Sequence, residues 1–366
     1  MSGRRGPAAA SARTRSEKKA SERAVDIFTS YSPQTAAPRV RVGDWLRHLG
    51  IPGVWHSYAG LPNARARTLL ANPWDVMAAE VHLRRTSTRS KRIIVSREAT
   101  PLGIGEVEKR LLADAAYAAF DFDDAIFIRN SVGRRIFDCA KKFRRMIPAA
   151  DVVIAGNDNL AEVAGRYSQR VRVIPSCVEP AQYVPKSDWG FRGEPVVVWL
   201  GSPWTEEYLL PILPAMAEVN KRTGAVLHVI SAPRGVDEVD AWPFVKRIPW
   251  SPDRVAADLL SADLAIAPLT DTPYARGKCA YKLLEYAATG LPIVGSPVGA
   301  NAAALERFDG IAVGQPDDWA DALLMVIGES SSRRAERGAR GLRMVQQHYS
   351  FDAWEDAWRQ AALGES

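Results

Sequence analysis

Cysteine is nearly missing from this chain. Cys139, Cys177 and Cys279 are the only three in 366 residues, too few and too scattered for a disulfide framework or a zinc site. Five histidines, His48, His56, His82, His228 and His348, form no motif. No Ser-His-Asp order and no glycosidase-like pair of carboxylates can be assigned. No stretch approaches the roughly 18 apolar residues of a membrane span. The first 23 residues lack the apolar core of a secretory signal. These absences point to a cytoplasmic protein. Glycine and proline are near ordinary usage. A length of 366 residues and 47% hydrophobic content suggest about two domains, each with its own core.

Charge is concentrated at one end. Arg4, Arg5, Arg13, Arg15, Lys18, Lys19 and Arg23 stand against only Glu17 and Glu22, which is +5 of the formal +6. The basic balance therefore belongs to a tail, residues 1–23, whose Ala, Ser and Arg content predicts disorder. Such a tail either remains a solvated extension or makes weak contact with an anionic membrane, which would place the protein at the inner face. No specific nucleic-acid partner is expected.

Beyond the tail, β-rich runs alternate with helical ones, the signature of an α/β protein. Strands are predicted at 24–29, 92–96, 117–121, 151–155 and 171–174, with helices at 42–49 and 106–112. The polar stretch "PKSDWGFRGE", residues 185–194, reads as a linker and places a boundary at 188/189. The rhythm then restarts, with strands at 196–200, 226–230, 264–267 and 292–295 and helices at 206–223, 253–261 and 319–327. Two doubly wound domains of this kind bind ligands at the C-terminal ends of their strands. The last segment, 346–366, carries Phe351, Trp354 and Trp358 on one face of an amphipathic helix.

The stretch "YARGKCAYKLLEYAATGLPIVGSPVGAN", residues 274–301, concentrates chemistry. Its pattern predicts a helix from Lys278 that ends at Gly290 and Pro292. Lys278, Lys282 and Glu285 are spaced four and three apart and share a face. Two cations at a helix start oppose its dipole. They make sense if an anion sits there, where free N–H groups and Gly277 allow a phosphate close approach. A solvated basic face is the other reading.

"FDFDDAIF", residues 120–127, offers three chemistries. Asp121 and Asp123 form a D-x-D that can bind a divalent metal. The same D-x-D can carry a phosphatase nucleophile, although Asp124-Ala125 departs from that pattern. The third reading is structural or acceptor-facing, with the carboxylates capping a helix or paired with Arg97 or Arg129. Arg39 and Arg41 follow a polar loop after the first strand, and Arg97 stands at the end of another. Each is a candidate for an acceptor or phosphate contact, or for a surface ion pair. Trp204 is the one tryptophan of the second half placed to stack on a sugar or base; core packing is expected of the others.

Taken in order, these pieces resemble the retaining GT-B glycosyltransferases of family four, the group 1 glycosyl transferases. "VVWLGSPWTEEYLLPIL", "LLSADLAIAPLTDT" and "KLLEYAATGLPIVGSPVGAN" are similar to that family's donor domain. "FDFDDAIF", "ADVVIAGNDNLAEVAGRY" and "RVRVIPSCVEPAQY" are similar to the first half of one of its subgroups. The likeness spans roughly residues 25 to 350.

The resemblance implies a GT-B fold: two doubly wound Rossmann-like domains facing an interdomain cleft, with 24–188 on the acceptor side and 189–345 holding the nucleotide sugar. It also implies that 346–366 crosses back to the first domain. The expected activity is metal-independent transfer of a sugar from a nucleoside diphosphate sugar to an acceptor, with retention and no cofactor. Donor contacts carried over are Gly201, Ser202, Thr205, Gly277, Lys278, Lys282, Glu285 and Gly299. Lys278, Lys282 and Asp124 are implied in catalysis, and Arg39, Arg97 and Asp123 on the acceptor side. This chain departs from the family twice. Glu285 fills the second of two glutamates that stand eight apart, but Gly277 occupies the first position. The turn Gly201–Thr205 also lacks the usual arginine and lysine, so Lys278 and Lys282 are the natural replacements for binding diphosphate.

Overall fold

A computed structural model describes residues 24–58, 66–128 and 135–365. The tail and Arg129 lie outside the described residues. The chain forms two compact units. The first runs through Gly156 and includes Leu160–Ile174 and the residues from Asp356 onward. The second comprises Asn157–Asn159 and Pro175–Glu355.

The first unit is built on a six-stranded sheet of β1 (Val25–Thr29), β2 (Gly53–Ser57), β3 (Arg92–Ser96), β4 (Tyr117–Phe122), β5 (Val152–Ala155) and β6 (Val171–Val173). All pairings are parallel, in the order β2-β1-β3-β4-β5-β6. The inner strands β1, β3 and β4 are buried almost throughout, as expected where helices cover both faces of a parallel sheet. The half-exposed edge strand β2 has no apolar alternation and does not declare itself in the sequence.

The second unit repeats the plan with β7 (Val196–Leu200), β8 (Val226–Ser231), β9 (Val245–Pro249), β10 (Leu264–Ala267), β11 (Ile293–Gly295) and β12 (Ile311–Ala312). Its order is β12-β11-β10-β7-β8-β9, again all parallel. Read from its own first strand this is the 3-2-1-4-5-6 order of a dinucleotide-binding sheet. Each sheet reverses its strand order at one place, between β1 and β3 in the first and between β7 and β10 in the second. Loops at the C-terminal ends of those strands are where such sheets hold ligands.

Several elements differ from the sequence expectation. The helix expected over 206–223 begins at Leu213. Pro211 and Pro214 lack N–H donors, so the segment before it folds as the 3-10 turns Pro203–Tyr208 and Leu210–Ile212. The helix expected from Lys278 begins at Tyr281. Ala275–Gly277 is a 3-10 turn, Lys278 is extended, and Ala280 is left-handed with φ 55°. Polar residues 185–194 fold against the second unit. Lys186 N donates to Thr289 O at 2.8 Å, and Trp189 Nε1 donates to Gly290 O at 2.9 Å. This segment belongs to the second unit, which resumes at Pro175. In the first unit, Trp358 stacks on Trp45 with centroids 5.1 Å apart, and Tyr117 Oη donates to Ala361 O at 2.8 Å. Those contacts fix the end of the chain.

Candidate active site

The strand-order reversal of the second unit is closed by one side chain. Tyr286 is fully buried; its Oη accepts from Leu200 N at 2.8 Å and donates to Ile266 O at 3.3 Å, so it ties the ends of β7 and β10 together. Burial lifts its phenol far above the usual range, so it stays protonated and keeps its donor. Just past β7, Gly201 lies against the indole of Trp199. A Cβ there would overlap the Trp199 ring and stand 2.9 Å from Thr205 Oγ1, which is why only glycine fits. Thr205 closes the turn, donating from N and Oγ1 to Ser202 O, each at 2.9 Å.

The turn is braced from behind by Glu206, which the sequence reading did not single out. Its carboxylate is fully buried and accepts from Arg247 at 3.0 Å on each oxygen, from Ser231 Oγ and from Val236 N. Burial alone would raise its pKa. The Arg247, Ser231 and Val236 hydrogen bonds outweigh that and hold it below the ordinary value.

The lysine segment meets this turn. Lys282, in the first turn of the helix Tyr281–Thr289, sets Nζ 4.4 Å from the centroid of Trp199. A cation over an indole face is attracted by the ring's quadrupole. Burial, and then the charge of Lys278, draw the Lys282 pKa down to about 7, with Glu285 opposing. Lys278 lies on the extended segment that precedes the helix, not on it, with Nζ 4.9 Å from the centroid of Tyr274. Its carbonyl accepts from Asn157 Nδ2 at 3.0 Å. The two lysines therefore approach one another from different pieces of backbone, rather than sharing a helical face. Glu285 points inward, and Tyr183 Oη donates to its Oε1 at 3.0 Å.

Gly299 begins the helix Ala300–Arg307 at φ 57°, and a Cβ would come 2.6 Å from Arg276 O. The glycine loop thus packs directly on the turn that contains Gly277. Arg276 itself is engaged by Asp271 at 2.7 and 2.9 Å. Gly201, Ser202, Thr205, Gly277, Lys278, Lys282, Glu285 and Gly299 all fall in the second unit. Trp199 joins the Gly201 turn to Lys282, and the Gly299 loop rests on the Gly277 turn. Trp204 is exposed.

In the first unit the carboxylates of "FDFDDAIF" are taken up by arginines. Asp121, buried, receives Arg41 Nε at 3.2 Å and Nη2 at 2.7 Å, and Arg41 also donates to Ile174 O at 2.8 Å. Arg97 follows β3 in a left-handed conformation, φ 62°, rarely adopted by residues other than glycine and asparagine. It donates to Asp123 Oδ1 at 2.7 Å and to Asp124 Oδ2 at 2.6 Å. Its guanidinium carbon lies 5.6 Å from the Tyr31 centroid. Tyr31 and Arg97 follow the two strands between which the first sheet reverses, the place where sheets of this kind in general hold ligands. Arg39 pairs with Asp44 at 3.6 Å.

Three comparisons with known proteins bear on this arrangement. Residues 194–329 match the family model described as glycosyl transferases group 1. Among solved structures, the chain is similar to sucrose-phosphate synthase from Thermosynechococcus elongatus, with TM-score 0.69 and 15% identity, over 93% of this chain and 99% of that one. It is also similar to an α,α-trehalose-phosphate synthase (UDP-forming) from Burkholderia vietnamiensis, at TM-score 0.66 and 15% identity, over 94% and 97%. WaaG, a glycosyltransferase involved in lipopolysaccharide biosynthesis, follows at 0.64 and 12%, over 92% and 98%. No curated protein matches by sequence. The chain has the GT-B fold, and the family match is confined to its second half.

Proposed function

We propose that this protein transfers a sugar from a nucleoside diphosphate sugar to a glycan, lipid-linked or small-molecule acceptor, with retention at the anomeric carbon. The observation that carries the reading is Lys282, held over Trp199 beside the strand-order reversal, with Lys278 and the inward-facing Glu285 close by. A diphosphate needs cationic or N–H partners where water is excluded. The two lysines supply that charge in place of the arginine and lysine missing from the Gly201 turn. Glu285 is the group for the ribose. Retention and the donor class rest on the family resemblance and the group 1 domain. Two of the similar structures are UDP-forming trehalose-phosphate synthases, which favours uridine as the base to try first.

In this reading the lysines do the work of a metal. As the glycosidic bond loosens toward an oxocarbenium-like state, negative charge grows on the leaving diphosphate, and preorganised cations stabilise it without reorganisation. Asp123, oriented by Arg97, belongs to the acceptor side, and Asp124, held by the same guanidinium, is the carboxylate assigned to catalysis. A phosphatase reading of Asp121 and Asp123 is disfavoured because both are bound by arginines.

A second reading has one observation behind it: Gly277 stands where the family has a carboxylate near the donor sugar. A scaffold that binds the nucleotide sugar without turnover would fit that loss. A thermal-shift screen of UDP, GDP, ADP, their sugars and inorganic phosphate tests both readings, because a ligand that binds only the folded state raises the melting temperature. A shift with a nucleotide but not with phosphate supports the donor site. No shift at millimolar nucleotide defeats it. A shift without sugar transfer or donor hydrolysis selects the scaffold.

A further inference from the structure

Four of the twelve exposed large hydrophobic side chains among the described residues fall within twelve positions: Leu70, Trp74, Met77 and Val81, at 80%, 75%, 53% and 41% exposure. They lie on two consecutive helices of the first unit, Ala66–Ala71 and Pro73–Arg85, parted at Asn72. Trp74, Met77 and Val81 are three and four residues apart, so they form one stripe along the second helix. The same stripe continues into Arg84 and Arg85, both exposed. The inner face of this helix is set by Leu83, 3% exposed, and its flank by Asp75 and His82, which line a cavity with His56 and Ser57. The stripe therefore points away from the packed side. Among the described residues, nothing in the fold asks for a tryptophan, a methionine and a valine there.

The charges around the stripe identify what it meets. Arg67, Arg84, Arg85 and Arg89 are all exposed in this stretch. Its acidic members are Asp75, on the cavity flank, and Glu80, which is mostly covered and accepts from Arg84 at 3.2 Å. An exposed apolar stripe with a tryptophan, ending in arginines, is the pattern of a helix lying in a lipid headgroup region. The indole sits at the boundary of headgroups and acyl chains, and arginine side chains reach back to the phosphates. A protein partner would be expected to complement the stripe without regard to phospholipid charge. The arginines favour an anionic bilayer.

We propose that the face formed by Leu70, Trp74, Met77 and Val81, flanked by Arg67, Arg84, Arg85 and Arg89, docks the protein onto an anionic lipid surface. The helix lies parallel to that surface and its apolar stripe enters the headgroup layer. This docking is independent of nucleotide-sugar binding, and it uses the folded first unit rather than the basic tail.

Flotation with vesicles of phosphatidylcholine alone, or with roughly one third of it replaced by phosphatidylglycerol, tests it on the full chain. The unmodified protein should float with the anionic vesicles, less so as salt rises, and weakly or not at all with the neutral ones. Trp74→Ser with Met77→Ser should weaken binding to anionic vesicles roughly tenfold or more. Arg84→Gln with Arg85→Gln should cost roughly tenfold at low salt and little at high salt. Because all four side chains are exposed, both variants should melt with the parent protein. A third variant, with the seven cations of residues 1–23 changed to glutamine, should retain most of the binding. Failure of the parent to float overturns the proposal. So does binding that survives loss of Trp74 and Met77 but disappears with the tail cations. A parent that is dimeric by light scattering, and monomeric once Trp74 and Met77 are replaced, overturns it in favour of a second copy of the chain.

Discussion

Lys282 Nζ stands 4.4 Å from the centroid of the Trp199 ring, at the first turn of a helix and on the last stretch of a buried strand. The contact makes the lysine answerable to pH. Burial, reinforced by Lys278 and opposed by Glu285, brings its pKa down to about 7. A diphosphate placed against it would favour the ammonium and raise the pKa again. The sign follows. Below about pH 7 the lysine is already charged in the free protein, and nucleotide affinity should be level. From about 7 upward, binding must take up a proton, and affinity should fall by up to one decade per pH unit until the pKa of the complex is reached. Titration calorimetry of UDP at pH 8, in buffers of different ionisation enthalpy, should report uptake approaching one proton. Lys282→Met should bind more weakly and with a flatter pH profile. A parent profile as flat as that of the variant would show that this lysine does not meet the phosphates. For stability the direction is opposite: the unfolded chain holds the proton that the folded one has lost, so this group's contribution rises with pH between about 7 and 10.

Tyr183 acts on the same helix from a distance of 102 residues. Its hydroxyl donates to Glu285 Oε1 at 3.0 Å, with both side chains buried. If Glu285 receives the ribose hydroxyls, Tyr183 fixes the carboxylate that does so. Tyr183→Phe removes one hydrogen bond to a charged group, about 1.5–3 kcal/mol by general experience. It should weaken nucleotide binding while leaving the rate at saturating donor close to that of the parent. Glu285→Gln should do the same more strongly. Binding constants by calorimetry and rates at saturation separate the two effects. A Tyr183→Phe variant with unchanged affinity and a lower melting temperature would make the pair structural.

The buried pair of Arg41 and Asp121 gives a prediction about stability alone. Both are 2% exposed and joined by two hydrogen bonds. Arg41→Ala leaves a carboxylate buried without its cation, and such truncations typically cost about 3–5 kcal/mol. Replacing both, as Arg41→Met with Asp121→Leu, should recover much of the loss, because an apolar pair carries no desolvation penalty. Chemical denaturation of the single and double variants measures this. A single variant as stable as the parent would mean that water enters and solvates Asp121.

How far these features could be read from residues alone depended on where their partners lie. Inner strands such as Val196–Leu200 and Leu264–Ala267 declare themselves as apolar runs. The edge strands Gly53–Ser57 and Val245–Pro249 are half-exposed and mix polar with apolar residues, so no pattern marks them. The helix Ser331–His348 is rich in arginine and has no clean apolar stripe. It is buried instead through Gly338, where a Cβ would overlap Gly290 O, and through Arg334 and Arg337. Arg334 donates to Trp189 O at 2.8 and 3.0 Å, a contact that sequence periodicity cannot anticipate. At the site, Lys278, Lys282 and Glu285 are visible because they are close together in the chain. Their register was not, since the left-handed Ala280 delays the helix by three residues. Trp199, Tyr183, Tyr286 and Glu206 act through partners 20 to 102 residues away and emerge only when the chain is folded.

The two lysines should reveal themselves most in the transition state. Charge on the diphosphate grows as the bond to the sugar breaks, so a cation there stabilises the transition state more than the ground state. Lys282→Ala should therefore lower the maximal rate by more than it weakens donor binding, by about 2–4 kcal/mol of barrier, or roughly tens to a thousandfold. Lys278→Ala should show the same kind of loss. Its backbone is extended and lies before the helix, so removing its side chain takes no residue from the helical first turn. If these lysines supply the positive charge, turnover should persist in excess chelator. If instead chelation abolishes the rate and magnesium or manganese restores it, the charge comes from a metal and the lysines are secondary. Rates of both variants with saturating acceptor, with and without chelator and alongside their melting temperatures, decide the matter. Near-parental rates from both would leave the segment a basic surface with no part in transfer.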